Sequence, residues 1–355
     1  MLDERVTRIE DEGLRIENPG DRQPQSSILN PQSSIHVAAL DLSILIVTWN
    51  SERFIDRCLR SVDAACSGLS YEVVVYDNAS GDDTLAHLGD ATVIRSISNL
   101  GFAAGINHAF GASRGRYVFL LNPDCELAPG ALTTVFDFLE QHSEVAAAAP
   151  LLVDEQDGGS QREFQLRRLP TLGTFLAEVL LVDKFFPTNP ATARYRYHDL
   201  DLTAPRRVEQ PAAAALLLRR ETVDEIGPLD EAFAPAWFED VDYCRRLAEK
   251  QKEVWVVPAA QARHFGGASL EHISFEKFVD VWYRNMWRYT RKWMRPWQAE
   301  ALRWGIVIGM LLRCLAGILG FHPRGVARWD AFRAYRNVLR KAFERWNPSS
   351  SRSSS

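Results

Sequence analysis

Three runs in the first third of the chain are apolar without alternation, Ser43-Ile-Leu-Ile-Val-Thr48, Glu72-Val-Val-Val-Tyr76 and Tyr117-Val-Phe-Leu-Leu121, and Thr92-Val-Ile-Arg95 reads as a further strand. Short unbroken runs rich in β-branched residues predict strands buried on both faces, as in a parallel sheet. Between the first two, Ile55, Cys58, Leu59 and Val62 recur at helical spacing, with Ser51 placed to cap the helix. The glycine segment Asn99-Leu-Gly-Phe-Ala-Ala-Gly-Ile-Asn107 opens a second helix that runs to about Ser113. Strands alternating with helices predict a doubly wound α/β sheet with right-handed crossovers.

Further on, Ala131 to Gln141 reads as a helix and Val145 to Ala149 as a strand. Residues 154–210 break the pattern, with a turn at Asp157-Gly158-Gly159 and an apolar patch from Leu169 to Phe186. An insertion of this length between core elements is where substrate specificity is expected. Order resumes in the strand-like run Gln210 to Arg219, a short helix Thr222 to Ile226 stopped by Gly227-Pro228, and a helix that begins at Glu239-Asp240 and is marked by Val241, Cys244, Leu247 and Ala248. Val254 to Pro258 is a further strand, leading to Ala262-Arg-His-Phe-Gly-Gly-Ala-Ser269. Phe275, Phe278, Val279, Trp282, Tyr283 and Met286 then form an apolar helical stripe, and Trp287, Arg288, Arg291, Lys292, Trp293, Arg295 and Trp297 mix indoles with cations. Trp304 to Phe321 holds one charge, Arg313; a helix lying in a membrane interface is favoured over a packing surface and over a span. Arg324 to Trp346 is a last basic helix. The expected domains are a flexible leader at 1–40, an α/β domain at 41–270, a basic amphipathic helical extension at 271–346 and a disordered tail at 347–355.

Composition adds two constraints. With 355 residues and 46% hydrophobic, the chain has material for a large core, which excludes wholesale disorder. The formal charge of -5 conceals an asymmetry: from Arg284 onward there are 15 Lys/Arg against 3 Asp/Glu, so the tail is about +12 and the body about −17. So acidic a body argues against nucleic acid as partner, while the tail suits an anionic membrane surface. Five scattered cysteines without CxxC spacing and a charged N-terminus without an apolar core segment point to a reducing, cytoplasmic setting.

Candidate chemistry collects at the ends of apolar runs, which deliver Asp77, Asp124 (after Asn122-Pro123), the Glu239-Asp240 pair and His264. Open α/β sheets bind ligands at such carboxyl edges. Carboxylates with one imidazole suit Mg²⁺ or Mn²⁺ held together with substrate phosphates, and a further carboxylate away from the metal is free to act as general base. A helix dipole would by itself account for Glu239, Asp240 and Asp242. Gly101-Phe-Ala-Ala-Gly105 lacks both the GxGxxG spacing and a P-loop lysine; its use would be close backbone approach to a ligand, with helix N-terminal amides facing phosphate.

In order, Ile46-Val-Thr-Trp-Asn50, Val75-Tyr-Asp-Asn-Ala-Ser80, the N-x-G-F-A-x-G-x-N segment 99–107, Asn122-Pro-Asp124, Trp237-Phe-Glu-Asp240 and His264-Phe-Gly-Gly-Ala-Ser269 resemble glycosyltransferase family 2 and its rhamnosyltransferase-like branch, over about residues 42–270. The resemblance implies a GT-A fold, with a Rossmann-like, mostly parallel sheet flanked by helices and followed by the helical extension. It implies an inverting transfer from a nucleotide-diphosphate sugar, dTDP-rhamnose being suggested and UDP- and GDP-sugars open, to a glycan or lipid-linked acceptor in cell-surface polysaccharide synthesis. By the same resemblance Thr48, Asn50, Asp77, Asn78, Ser80, Asn99, Gly101, Phe102, Ala103, Asn107 and Asn122 contact the donor nucleotide. Asp124, alone retained from a D-x-D element, and His264 belong to a divalent cation; Trp237 and Glu239 face the acceptor; Asp240 is the base. The alternatives are a degenerate nucleotide-sugar-binding module and a sugar nucleotidyltransferase, whose glycine-rich basic loop Thr48-Trp-Asn-Ser51 lacks. A peripheral place on the inner face of the cell membrane, through the basic extension, completes the expectation.

Overall fold

In strand β1 (Leu42–Thr48) all seven residues are buried, because both faces of the sheet are covered. Leu42, Ile44 and Ile46 enter one core, with Ile55, Cys58 and Val62 of α1 (Glu52–Ala65) and Leu132 and Val135 of α3 (Ala131–Gln141). Leu45 and Val47 enter the other, with Ala103 and Ile106 of α2 (Phe102–Gly111) and Tyr243 and Leu247 of α9 (Glu239–Glu249). The computed structural model describes residues 40–154, 158–186, 189–266 and 273–346; the expected leader through residue 39, Asp157 of the expected turn, Gly267 to Ser269 and the expected tail at 347–355 lie outside the described residues.

The main sheet has the order β3-β2-β1-β4-β10-β6-β11-β5, with β8 beside β11. Its strands are β2 (Tyr71–Asp77), β3 (Thr92–Arg95), β4 (Tyr117–Leu121), β5 (Cys125–Leu127), β6 (Val145–Asp154), β8 (Arg206–Val208), β10 (Ala215–Arg219) and β11 (Glu253–His264). The pairs β3–β2, β2–β1, β1–β4 and β6–β11 are parallel, so six of nine strands share one direction. This is the α/β, mostly parallel arrangement expected for a GT-A domain, with helices on both faces and a helical C-terminal extension.

Three local expectations change. The run 210–219 divides into β9 (Gln210–Pro211), paired with β7 (Leu166–Arg167), and β10, which lies antiparallel between β4 and β6. A fully buried strand carries no mark of its direction, so periodicity could not show this. β11 continues past Pro258 to His264 because the register with β6 shifts between Val257 and Gln261, which takes the missing proline N–H out of the ladder. Ser51 stands at the α1 N-cap without capping it; its hydroxyl donates to Trp49 O, and the Asp82 carboxylate accepts the Glu52 N–H at 3.2 Å.

The insertion folds as α4 (Arg162–Gln165), β7, α5 (Leu172–Val179), α6 (Val182–Phe185) and α7 (Pro190–Tyr195). Together with α10 (Phe275–Trp293), α11 (Pro296–Ile318) and α12 (Arg328–Phe343), α5 builds a third core that holds Phe175, Phe233, Phe238, Tyr289 and Met310. The indole-cation stretch expected at a membrane interface is divided: Trp287 is buried beside Trp346 and the Trp293 indole donates to Asp242, while Arg291, Lys292, Arg295 and Trp297 are exposed. The reason is that the apolar stripe of α10 faces α11 and α12.

One glycine joins the α/β domain to the loop before α9. Gly101 has φ of 93°, and a Cβ there would lie 2.6 Å from Pro235 O. Gly101→Ala is expected to cost about 2–4 kcal/mol from backbone strain and overlap combined. A denaturant midpoint equal to that of the wild type would refute this account of the glycine.

Candidate active site

The turn Asn122-Pro-Asp124 leaves β4 because Pro123 cannot continue a ladder, and Asn122 N–H instead reaches Ala214 O at 2.8 Å. β5 then pairs antiparallel with the end of β11, His264 opposite Cys125. Asp124 and His264 are thereby brought together, both buried, with Nε2 to Oδ1 at 3.6 Å. Gln161 sets the imidazole tautomer. Its amide nitrogen donates to His264 O at 2.8 Å, so its Oε1 faces Nδ1 at 2.9 Å and Nδ1 carries the proton. Nε2 is then an acceptor facing a carboxylate. Burial pushes the imidazole pKa down against the pull of Asp124, which keeps the ring neutral.

Two acceptors at this separation suit a divalent cation between them. Cys125 Sγ lies within 4.8 Å of both donor atoms, but burial raises its thiol pKa well above the usual range and it bonds Ala214 O. The fitting donor set is Asp124 Oδ and His264 Nε2, whose coordination of a cation would be completed by oxygen ligands from outside the chain.

The residues expected around the nucleotide form a second group, at the ends of β1 and β2, where Thr48 pairs with Asp77. Asp77 is fully buried; its carboxylate accepts from Ser80 N–H at 3.3 Å and lies 3.9 Å from Arg95 Nε. Asn50 N–H donates to Ser80 Oγ, and Asn50 Oδ1 accepts from Gly81 N–H at 2.7 Å. Asn78 holds the glycine turn through Gly101 O and Leu100 N–H, while Asn99 accepts from Gly101 N–H. Thr48 Oγ1 is buried without a hydrogen-bond partner among the described residues.

The glycine turn differs from its expected use. Phe102 N–H, at the start of α2, donates to Pro235 O at 2.8 Å, so the close approach made by Gly101 is to the chain itself. Ala103 points into a core. The Asn107 amide lies deeper in α2, engaged with Leu229 and Glu231, and is not part of the group around Asp77.

The third group is the loop before α9. Trp237 and Phe238 have consecutive left-handed φ values of 71° and 78°, a conformation costly for side chains of this size. Asn285 of α10, fully buried, donates to Phe233 O at 2.6 Å, Ala236 O at 3.0 Å and Trp237 O at 3.1 Å, and Arg284 bonds Ala234 O. The Trp237 ring meets Phe278 edge-on at 4.9 Å. Asp242 is well satisfied, with the Trp293 indole and Lys292 at 2.7 Å and Arg246 at 3.1 Å. Glu239 is not: its Oε2 is buried without a partner among the described residues, and burial, then the charge of Asp240, push its pKa up to about 8. Burial also raises Asp240, while the Val241 and Ala213 N–H groups and Arg167 favour its charged form.

Motif reading missed Gln161, Arg167, Gln210 and Asn285. Gln210 donates to Asp240 Oδ2 at 3.2 Å, and Arg167 stands opposite Gln210 in the β7–β9 pair, so the two side chains share a face. No signal in the chain tells these residues from ordinary polar positions before β7 and β9 pair. The segment 210–214 thus serves both carboxylates: Gln210 and Ala213 reach Asp240, and Ala214 O holds the turn of Asp124.

Residues 43–198 match the model of Glycosyl transferase family 2, a span that takes in Asp77 and Asp124 but stops before Asp240 and His264. The chain is 25% identical over 277 residues to N-acetylglucosaminyl-diphospho-decaprenol L-rhamnosyltransferase of Mycobacterium tuberculosis strain H37Rv, covering 71% of this chain and 88% of that one. It is 32% identical over 140 residues to succinoglycan biosynthesis protein ExoO of Rhizobium meliloti, covering 37% and 40%. Among solved structures it resembles S. aureus TarS 1-349 with a TM-score of 0.45 and 16% identity, over 87% of this chain and 92% of that one. The family match and the relatives agree with the ordered motifs along the chain: residues 43–198 carry a domain that matches glycosyltransferase family 2, and the chain is similar to a mycobacterial rhamnosyltransferase, which together support a role in glycosyl transfer.

Proposed function

We propose that this chain is an inverting glycosyltransferase that moves a hexose-type sugar, with rhamnose suggested, from a nucleotide-diphosphate sugar to a hydroxyl of a glycan or lipid-linked acceptor in cell-surface polysaccharide synthesis. The observation that carries the reading is the shared tether at 210–214, which binds the turn of the candidate donor carboxylate Asp124 and the candidate base Asp240 to one stretch of backbone. The name of the mycobacterial relative, a transferase to a diphospho-decaprenol sugar, supports a lipid-linked acceptor. The enzyme then works as a peripheral protein on the inner face of the cell membrane.

In this mechanism Asp240 takes the proton of the acceptor hydroxyl as that oxygen bonds to the anomeric carbon. The bond from that carbon to the diphosphate breaks on the opposite side, giving the inverted glycoside and a nucleoside diphosphate. Gln210 and the Val241 N–H orient the Asp240 carboxylate, and Arg167 favours the ionised form that a base requires. Glu239, neutral below about pH 8, adds no second negative charge and offers a proton donor to the acceptor. Trp237 supplies an apolar platform for the acceptor sugar. Thr48, whose hydroxyl lacks a partner among the described residues, and the Asp77 loop line the nucleotide. Asp124 and His264 would hold a divalent cation, Mg²⁺ or Mn²⁺, which when bound offsets the charge of the departing diphosphate.

Calorimetric titration with dTDP, UDP and GDP, each with and without Mn²⁺, tests the donor half. One nucleotide is expected to bind in a metal-dependent way, and Asp124→Ala to abolish that binding; no binding of any nucleotide under either condition would sink the donor assignment. Asp240→Asn is expected to keep nucleotide affinity and lower turnover by about 10²–10⁴-fold, and turnover within a few-fold of the wild type would remove Asp240 as base.

Glu239 also makes stability depend on pH. Its pKa is raised from 4.5 to about 8 in the folded protein, so between those values the native state binds more protons than the unfolded state and stability falls as pH rises. Urea midpoints compared at pH 5 and pH 9 are expected to show a smaller fall in Glu239→Gln than in the wild type, and parallel falls would contradict the buried, protonated carboxyl.

A further inference from the structure

The outer face of α11 is unlike the rest of the surface. From Ala301 to Phe321, every exposed residue is apolar or glycine: Trp304, Ile308, Leu311, Leu312, Leu315, Ile318, Leu319, Gly320 and Phe321. Trp304, Ile308, Leu311, Leu315 and Ile318 alternate steps of four and three, forming one stripe about 21 Å long. These side chains are 48–61% exposed, and Leu319 and Phe321 beyond them are 67% and 74% exposed. A continuous apolar face of this extent on a folded chain marks an interaction site.

The opposite face of the helix is fastened to the protein. Leu302, Ile306 and Met310 are buried in the third core. A Cβ on Gly305 would lie 2.5 Å from Leu176, and one on Gly309 would lie 2.2 Å from Val179 O, so α11 meets α5 backbone to backbone. Arg313, the charge that weighs against burial in lipid, leaves the stripe. Its guanidinium caps α5 through Val179 O at 2.5 Å and Glu178 O at 3.3 Å. The helix has the length and apolar composition to cross a membrane, but with half its circumference engaged it is able to meet lipid on one side alone.

Cations flank the stripe. α12 folds back along α11: Arg328 caps the α11 end at Ile318 O, 2.9 Å, and Phe343 meets Trp304 with ring centroids 5.8 Å apart. Arg324, Arg328, Arg333, Arg336 and Arg340 are exposed on this return, together with Trp329. An apolar stripe, an indole and arginines at its margin complement an anionic bilayer surface, whose acyl boundary takes the side chains and whose headgroups take the guanidinium groups. A second copy of the chain would place one +12 segment against another.

We propose that the face of α11 from Trp304 to Phe321, with the arginines of α12, is the surface by which this protein docks in plane on an anionic lipid bilayer. This deepens the peripheral position given under Proposed function by naming the face: the outer side of α11, in the stretch whose sequence favours an interfacial helix. The face is separate from the carboxylate site, so its failure and that of the transferase reading can be told apart.

The test is flotation of the full-length chain with phosphatidylglycerol–phosphatidylcholine vesicles and with phosphatidylcholine vesicles, for the wild type, for Ile308→Glu with Leu315→Glu, and for Arg336→Glu with Arg340→Glu. Nucleotide titration and circular dichroism on each protein separate docking from donor binding and from folding. The wild type is expected to float with anionic vesicles, and the apolar pair of substitutions to weaken this by about tenfold or more, with the folded signal retained. The arginine pair is expected to weaken binding to anionic vesicles and leave the weaker binding to neutral ones unchanged. Failure of the wild type to float, or equal flotation of the apolar double variant, would overturn the proposal. So would a concentration-dependent dimer that the same variant abolishes in the absence of vesicle binding.

Discussion

The arrangement of this molecule depends on two neighbouring peptide groups between β9 and β10. Ala214 accepts the Asn122 N–H where β4 has just been broken by proline, and Ala213 presents its N–H to Asp240. Adjacent residues of one extended segment cannot move independently, so the turn that carries Asp124 and the start of α9 are held by a single stretch of backbone. β10 is rigid because it lies antiparallel in mid-sheet between β4 and β6. The tether passes that rigidity to both carboxylates, which a loop joining them would not do.

The C-terminal helices serve the same end from the other side. A loop with two bulky residues at left-handed φ persists only if its surroundings over-determine it. Asn285 provides three hydrogen bonds to that loop, and Phe238 packs among Phe175, Trp282 and Tyr289. The extension is therefore part of the α/β domain's working structure as well as a basic surface. Its inner face orders Asp240, and its outer face carries the apolar stripe of α11.

Two polar groups that hold the helices are well paired: Asp242 has an indole and two cations, and Arg313 has the carbonyls of α5. Thr48 Oγ1 and Glu239 Oε2, beside the two ends of the proposed reaction, are among the buried atoms that lack partners among the described residues, as are Trp287 Nε1 and the Tyr289 hydroxyl of the third core. Leaving such atoms unpaired is costly in a folded chain, which makes the two beside the proposed reaction natural points of contact for a ligand.

The apolar runs of β1, β2 and β4, and the carboxylates that follow the last two, were legible because local sequence decides where a buried strand begins and where proline or polar residues end it. The resemblance to the family was legible because its motifs recur in order, from Ile46 to His264. Direction and pairing were not, since β10 is as apolar as its parallel neighbours and its antiparallel course comes from what it pairs with. Gln161, Arg167, Gln210 and Asn285 act through partners between 30 and 103 positions away where they bond directly, and Arg167 through its cross-strand neighbour, so no local pattern marks them. The basic tail and its apolar helices followed from composition and period, but which helix faces outward was settled by packing. α10 buries its stripe between α11 and α12, and Arg313 turns inward to a helix end that exists only in the folded insertion, leaving the α11 stripe uncharged.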